Sequence, residues 1–225
     1  FVERRQNDEP LAQILGYKDF YKFRFLVNRS VLTPRPETEM LVESALAFLQ
    51  GREQEPLRIC DIGVGSGCIG QSLLKMLPNA HLTAIELSPA ALEVAKKNAL
   101  ALGIQDRIQF VQGSARLEHF EENHFDYIVS NPPYIAPNDE QIEAAVKKYE
   151  PASALFADDR GLRYIDEWVG YAAKGLVSRG ALSFEIGSQQ GADARRLASE
   201  KRAFINIQVH KDLQGHDRML TAERS

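Results

Sequence analysis

Four consecutive residues, Asn131-Pro132-Pro133-Tyr134, carry the most specific chemistry in the chain. The two prolines remove two backbone donors and stiffen the loop, which leaves the Asn131 side-chain oxygen and the Pro132 carbonyl as acceptors. Two acceptors suit an NH2 group, whose hydrogens each need a partner. An amide or aniline-like nitrogen is a poor nucleophile because its lone pair is delocalised. A site that holds both hydrogens while the Tyr134 ring packs on the substrate plane therefore works by aiming that nitrogen at an electrophile. Alignment of a bound pair supplies roughly 7–11 kcal/mol of barrier reduction, against about 1 kcal/mol for each neutral hydrogen bond. Neither a metal nor a neutral-pH general base is needed. An ordinary Asn-Pro-Pro turn is the competing reading, and the position directly after an apolar strand disfavours it.

A second cluster lies upstream, in Asp61-Ile62-Gly63-Val64-Gly65-Ser66-Gly67. Glycines at a strand-to-helix handover let the backbone turn sharply and let a ligand approach amides that no side chain shields. The stretch also meets G-x-G-x-x-G through Gly65, Gly67 and Gly70, which leaves a dinucleotide site open. The tighter spacing of Gly63, Gly65 and Gly67 and the acid ahead of them shift the weight elsewhere, because a pyrophosphate has no use for a carboxylate. Glu86, 25 residues after Asp61, ends the next strand, where it can accept ribose hydroxyls in either kind of site.

The elements that must position these residues alternate from Leu57 onward in the βαβ manner. Strands are expected at Leu57–Ile62, His81–Glu86, Arg107–Gln112, Phe125–Ser130 and Ala181–Ile186, with Phe204–Val209 and Met219–Ala222 completing a sheet. Helices are expected at Cys68–Leu77, Gly161–Leu176 and Gln189–Arg202. Another starts after Ser88, a good N-cap followed by Pro89, and stops at Gly103. Ahead of this body, Tyr17, Phe20, Tyr21, Phe23 and Phe25 read as a short hairpin whose aromatics pack a small lid, in preference to touching substrate. The prolines and acids of Thr33-Pro34-Arg35-Pro36-Glu37-Thr38-Glu39 suit a helix N-terminus over MLVESALAFL. Capping and ion pairing explain Arg35, Glu37 and Glu39 as well as a place at the site entrance does.

Composition narrows the class. The 225 residues are 44% hydrophobic and 26% charged, with 27 basic and 31 acidic side chains for a net charge of −4, so a sizeable α/β domain plus a small appendage is expected. Disordered and coiled-coil classes are excluded. No membrane span and no signal peptide are visible, and a cytoplasmic location is expected. The mild acidity offers no global field for phosphate backbones. Cys60 and Cys68 lack metal or disulfide spacing, and His81, His119, His124, His210 and His216 show no triad or metal pattern.

The glycine turn with its leading acid resembles the S-adenosylmethionine loop of class I methyltransferases, in which the acid helps hold the cationic amino group of the methionine portion. The flanking sequence resembles the HemK/PrmC family of protein-glutamine N(5) methyltransferases. The matching stretches are Glu9–Gly16, Phe20-Tyr21, Val31–Glu39, Tyr149-Glu150-Pro151, Ala154-Leu155, Gly161-Leu162, Phe184–Gly187, Gln190-Gly191, Asp212-Leu213 and Asp217-Arg218. The resemblance implies a Rossmann-like seven-stranded α/β sheet with its last strand antiparallel. Residues 1–34 would then be the tail of an N-terminal helical domain with a connecting hairpin, and residues 35–225 the catalytic domain. It further implies that S-adenosylmethionine is bound by Asp61, Gly63, Val64, Gly65, Ser66, Gly67, Glu86, Ala115 and Asn131. The glutamine of the Gly-Gly-Gln loop of peptide-chain release factors would be held by Asn131, Pro132, Pro133 and Tyr134, with Asn131, Pro132 and Tyr134 catalytic. Gly113-Ser114-Ala115 departs from the family, which usually has an acid and a bulky residue there. Adenine is therefore expected to be held less firmly, or a neighbour such as Leu117 to fill the gap. A monomer is expected. The rival expectations are a methyltransferase for the amino groups of adenine or guanine in nucleic acid and a non-catalytic cofactor-binding module.

Overall fold

The computed structural model describes residues 1–139 and 142–225. Two short helices, α1 (Val2–Gln6) and α2 (Leu11–Leu15), precede an antiparallel hairpin of β1 (Tyr17–Phe20) and β2 (Phe23–Leu26). A 3-10 turn at Pro36–Thr38 leads into α3 (Glu39–Phe48). The alternating region follows as β3 (Arg58–Ile62), α4 (Cys68–Met76), β4 (His81–Glu86), α5 (Pro89–Leu102), β5 (Ile108–Gln112) and β6 (Phe125–Ser130). After α6 (Ala144–Tyr149) come α7 (Arg163–Gly175), β7 (Leu176–Glu185), α8 (Gly191–Glu200), β8 (Phe204–Lys211) and β9 (Asp217–Arg224).

The larger sheet has seven strands in the order β5-β4-β3-β6-β7-β9-β8. Neighbours from β5 to β7 are parallel, and β9 runs antiparallel between β7 and β8, as the resemblance implied. Side chains of a strand alternate between faces, and two separate cores result. Ile59, Tyr127 and Val129 face α3, α4 and α5. Cys60, Ile62, Ile128 and Phe184 face α7 and α8. Cys60 and Cys68 are buried free thiols.

Local signals fix α5 at both ends. Ser88 Oγ accepts from the Ala91 amide at 3.2 Å, Pro89 takes the first helical position, and Gly103 closes the helix in the left-handed conformation. The hairpin belongs to the core beneath it. Phe20 and Phe25 are buried, meet edge to face with centroids 6.2 Å apart, and join the cluster containing Leu41 and Val42 of α3.

Two features differ from expectation. β7 starts at Leu176, five residues before the expected Ala181. Gly175 packs on Phe120, and the buried Leu176 leaves the helix in extended conformation to pair with Phe125, with a register shift before Tyr127. Helix α6 is too short and polar for its period to show. The N-terminal segment, ahead of its hairpin, forms two five-residue helices, in keeping with the tail of a helical domain.

Candidate active site

The sheet register explains how distant residues meet. Ile62 lies opposite Ile85 on one side and Ser130 on the other, and Ser130 lies opposite Phe184. The next residue of each strand or loop is Glu86, Gly63, Asn131 or Glu185, so these four form a row at the carboxyl edge of four adjacent parallel strands. Open α/β sheets bind ligands at this edge. Ser130 Oγ donates to the Ile62 carbonyl at 2.6 Å and so fastens the start of the tetrapeptide to the start of the glycine turn.

Gly63, Gly65 and Gly67 have φ of +74°, +54° and +85°, a region in which a Cβ is strained. The turn is anchored from beneath, with the Gly63 and Val64 amides donating to the Ile85 carbonyl at 2.9 and 3.1 Å. The Gly65 amide donates to Glu86 Oε2 at 2.9 Å, while Glu86 Oε1 accepts from the Ser88 amide at 2.8 Å. The carboxylate thus shapes the turn and still has lone pairs for a ligand. Ser66 is held through its carbonyl by Asn98 Nδ2 at 2.8 Å, and the same Asn98 amide exchanges two hydrogen bonds with the Leu26 backbone. The hairpin and the turn therefore share one anchor on α5. Asn98 is not singled out by the sequence, and its partners lie 32 and 72 positions away.

Asp61 lies behind the turn, 1% exposed. Its Oδ2 accepts from the Gly70 amide at 2.9 Å, and its Oδ1 has no partner among the described residues. Gly70 is required there, since a Cβ would sit 2.8 Å from Leu82 and 2.9 Å from Asp61 Oδ2. Burial pushes the Asp61 carboxyl up to about 7; the Gly70 amide opposes this and the Glu86 charge adds to it. A buried carboxylate oxygen without a donor is costly, and a cationic ligand group beside it would offset that cost.

A cavity runs along this row. Its walls include Gly63 to Ser66, Glu86, Ala115, Asn131 and Pro133. Gly67 caps α4 behind it. Trp168 and Tyr164 of α7 complete the wall beside Gly113, Ser114 and Ala115. Leu117 does not fill the space left by the small residues, because it sits in the next turn and is half exposed. The aromatic pair, with centroids 5.1 Å apart, occupies that side instead. From the sequence it reads as ordinary helix packing.

A second cavity opens on the far side of the tetrapeptide, lined by Asn131, Pro132, Tyr134, Glu185 and Arg218. The two cavities share Leu32, Arg35, Asn131 and Ala154. Asn131 Nδ2 donates to Thr38 Oγ1 at 3.3 Å, and Thr38 Oγ1 donates to Glu185 Oε2 at 2.6 Å. The Tyr134 hydroxyl donates to Glu185 Oε1 at 3.0 Å. Burial holds the Glu185 carboxyl above its ordinary value, opposed in part by Thr38, Tyr134 and the Arg218 charge. Burial and then the Glu185 charge push the Tyr134 phenol well up, which keeps it a donor. Gln190 clamps the end of the loop: its Nε2 donates to the Tyr134 carbonyl at 2.9 Å and its Oε1 accepts from the Gly187 amide at 2.8 Å.

Of Arg35, Glu37 and Glu39, the first and last have side-chain partners that explain them. Arg35 pairs with the buried Glu150 carboxylate at 2.8 Å and borders both cavities. Glu39 accepts from the Tyr21 amide at 2.9 Å and so ties α3 to the hairpin. The structure thus gathers every sequence-predicted site residue at one sheet edge, with Asp61 a layer behind the wall.

A glycine turn and an Asn-Pro-Pro-Tyr loop side by side on a sheet with its final strand antiparallel define a methyltransferase, and residues 38–165 match the family described as Methyltransferase small domain. The Release factor glutamine methyltransferase of Enterococcus faecalis is 41% identical over 217 residues, covering 96% of this chain and 76% of that protein. A Bifunctional methyltransferase of Rickettsia prowazekii is 35% identical over 237 residues, 97% of this chain but 45% of that protein. Among solved structures, the release-factor-specific protein-(glutamine-N5) methyltransferase of Alicyclobacillus acidocaldarius superposes with a TM-score of 0.51 at 28% identity, covering 85% of this chain and 94% of that one. The chain belongs to the release factor glutamine methyltransferase family.

Proposed function

We propose that the chain transfers a methyl group from S-adenosylmethionine to the side-chain amide nitrogen of the glutamine in the Gly-Gly-Gln loop of peptide-chain release factors. One observation carries this reading: two cavities meet at Asn131, whose amide turns its NH2 to Thr38 and leaves Oδ1 for an incoming hydrogen. The first cavity fits the cofactor. The unpartnered Asp61 Oδ1 behind the wall suits its ammonium, Glu86 suits its ribose hydroxyls, and Gly63, Val64, Gly65 and Ser66 bring bare backbone against it, with Gly67 capping α4 behind them. Ala115 and Trp168 would both border the space for the adenine.

Bound, S-adenosylmethionine supplies an electrophilic methyl on a sulfonium. The chain's residues supply position. Asn131 Oδ1 and the Pro132 carbonyl take the two amide hydrogens, Tyr134 packs on the amide plane, and the nitrogen is left facing the methyl. As the new N–C bond forms, positive charge grows on that nitrogen, and two acceptors aimed at its hydrogens favour the transition state over the ground state. The S–CH3 bond would break as N–CH3 forms, leaving S-adenosylhomocysteine, and the N-protonated methylamide cation, a strong acid, would give its proton to water, so no base of matched pKa is required.

A nucleic-acid amino group would present the same two hydrogens. The release-factor reading is preferred because two of the relatives quoted above, from Enterococcus faecalis and Alicyclobacillus acidocaldarius, carry release factors in their names and the chain is net acidic. No helix among the described residues is long and apolar enough to cross a membrane, and a protein of the translation apparatus would work in the cytoplasm, as a monomer on this reading. Residues 1–34 would form the tail of a substrate-holding domain and residues 35–225 the catalytic one. Mass spectrometry of a release factor incubated with the chain and S-adenosylmethionine tests the proposal. A single methyl on the Gly-Gly-Gln glutamine, absent with Asn131→Ala, is expected; its absence with the wild-type chain, or its survival in the variant, refutes it.

A further inference from the structure

The tetrapeptide uses an asparagine, whose two ends are chemically opposite. Presented by its oxygen, Asn131 accepts a hydrogen from the substrate amide; flipped, it would push two N–H groups at two N–H groups. Something must choose between these orientations, and Pro132 on its carbonyl side cannot, having no N–H to offer.

Donor counting identifies the choice. Glu185 is buried on β7, and in the ionised form that its two hydroxyl donors and the nearby Arg218 charge favour against burial it can only accept. Its two oxygens receive two hydroxyls, Thr38 at 2.6 Å and Tyr134 at 3.0 Å. Thr38 has one hydroxyl proton, and the short contact to a carboxylate claims it. Its oxygen is then an acceptor only, so the Asn131 group facing it at 3.3 Å must be the NH2. Oδ1 is turned to the substrate side as a consequence. Thr38 itself shows the bias. It stands at the N-terminus of α3, where a threonine hydroxyl ordinarily caps a backbone amide, yet it makes no such bond. The hydroxyl is spent on Glu185 instead.

Resting on the reading of the site given above, we propose that Glu185 and Thr38 form a one-way hydrogen-bond relay that locks the Asn131 amide with its oxygen toward the substrate nitrogen, while Glu185 holds Tyr134 by its hydroxyl. Both are positioning residues: they act through Asn131 and Tyr134. Both keep their shape in conservative variants and act through the orientation of Asn131, so the relay is expected to act on the transition state more than on binding.

Thr38→Val, Thr38→Ser and Glu185→Gln test it in the full chain. Valine keeps the shape of threonine without the hydroxyl, serine restores the hydroxyl, and glutamine keeps the shape of Glu185 but can donate, which removes the direction of the relay. Thr38→Val and Glu185→Gln should lower kcat for release-factor methylation roughly 10- to 100-fold, in the range found when a supporting partner or a small displacement disturbs a reacting group. KM for the release factor and Kd for S-adenosylmethionine should stay near wild type, and Thr38→Ser should recover most of kcat. A second readout is independent of turnover. The Asn131 side-chain NH2 signals in an 15N-resolved NMR spectrum, assigned by their loss in Asn131→Ala, should move upfield in Thr38→Val and return in Thr38→Ser. Wild-type kcat in Thr38→Val or Glu185→Gln overturns the relay. So does an unmoved NH2 signal, or an equal loss in Thr38→Ser. A wild-type chain that methylates no release factor would count against the substrate reading alone, because the NMR experiment still decides the relay.

Discussion

Asp61 joins two demands that pull apart: its carboxyl is buried enough to resist ionisation, and its proposed partner is a cation that needs it ionised. Burial raises its pKa to about 7, so the protein without cofactor holds Asp61 protonated through part of the neutral range. Only the ionised fraction is competent to receive the ammonium, and the apparent Kd is the intrinsic value divided by that fraction. With a pKa of about 7, the competent fraction is about 0.9 at pH 8 and about 0.09 at pH 6, so the affinity should fall about tenfold over those two units. The ligand's own α-amino group begins to lose its proton near pH 7.7–8.0, an ordinary α-amino value, and affinity should therefore peak between about 7 and 8. Isothermal titration at pH 6, 7 and 8 in buffers of different ionisation enthalpy measures both quantities, and Asp61 should release about 0.9 proton on binding at pH 6 and about 0.5 at pH 7. Asp61→Asn keeps an oxygen for the Gly70 amide but no charge, so it should bind weakly and without the acid limb. A wild-type Kd that is flat from pH 6 to 8, proton uptake on binding, or the same acid limb in the Asp61→Asn variant would refute the reasoning. The unliganded fold carries the opposite sign. A carboxyl whose pKa is raised on folding binds its proton more tightly in the native state, so its contribution to stability declines as pH rises from the ordinary carboxylate range through about 7.

Two further outcomes follow from packing. Gly161 has φ of +84°, and a Cβ there would run into the Tyr134 carbonyl and the Gln190 side chain; Gly161→Ala should displace the end of the tetrapeptide, cost about 1–3 kcal/mol of stability, and abolish methyl transfer while cofactor titration still shows binding. Phe25 is fully buried between the hairpin and α3, so Phe25→Ala should lower the unfolding free energy in urea by about 3–5 kcal/mol; a loss under about 1 kcal/mol would mean the hairpin is not part of the core.

The features legible in the sequence are those whose cause is local. Ser88, Pro89 and Gly103 bound α5 because capping, a fixed φ and a left-handed residue act within a few positions. The glycine turn was legible because three positive-φ positions in five residues leave few other conformations. Asn131 was legible because two prolines directly after a strand make a rigid turn at a known edge. The residues that remained hidden answer to partners far away in the chain. Thr38 meets Glu185 across 147 positions, and Asn98 meets Leu26 across 72. Nothing about a threonine beside a helix start or an asparagine inside a helix announces such a partner. Trp168 was hidden for another reason: it follows the helical period that core packing also demands, so its second role as a cavity wall adds no new signal.

The topology joins the two kinds of information. A strand order that sets β3 between β4 and β6, with β7 beyond, places Glu86, Gly63, Asn131 and Glu185 in one row at the carboxyl edge. Period-two alternation then decides which face each side chain takes. Ile59 and Val129 belong to the core under α3, α4 and α5, so Asp61 and Asn131, two residues further on, point to that same side. Glu185, two residues beyond Ser183, does likewise and finds Thr38 at the start of α3. A one-residue slip of β7 against β6 would exchange Glu185 for a neighbour facing the other core and leave Asn131 without the partner that fixes its amide. The bulge between Phe125 and Tyr127 lies at the far end of that pair, and from Tyr127 to Ser130 the register runs unbroken to the edge where orientation matters.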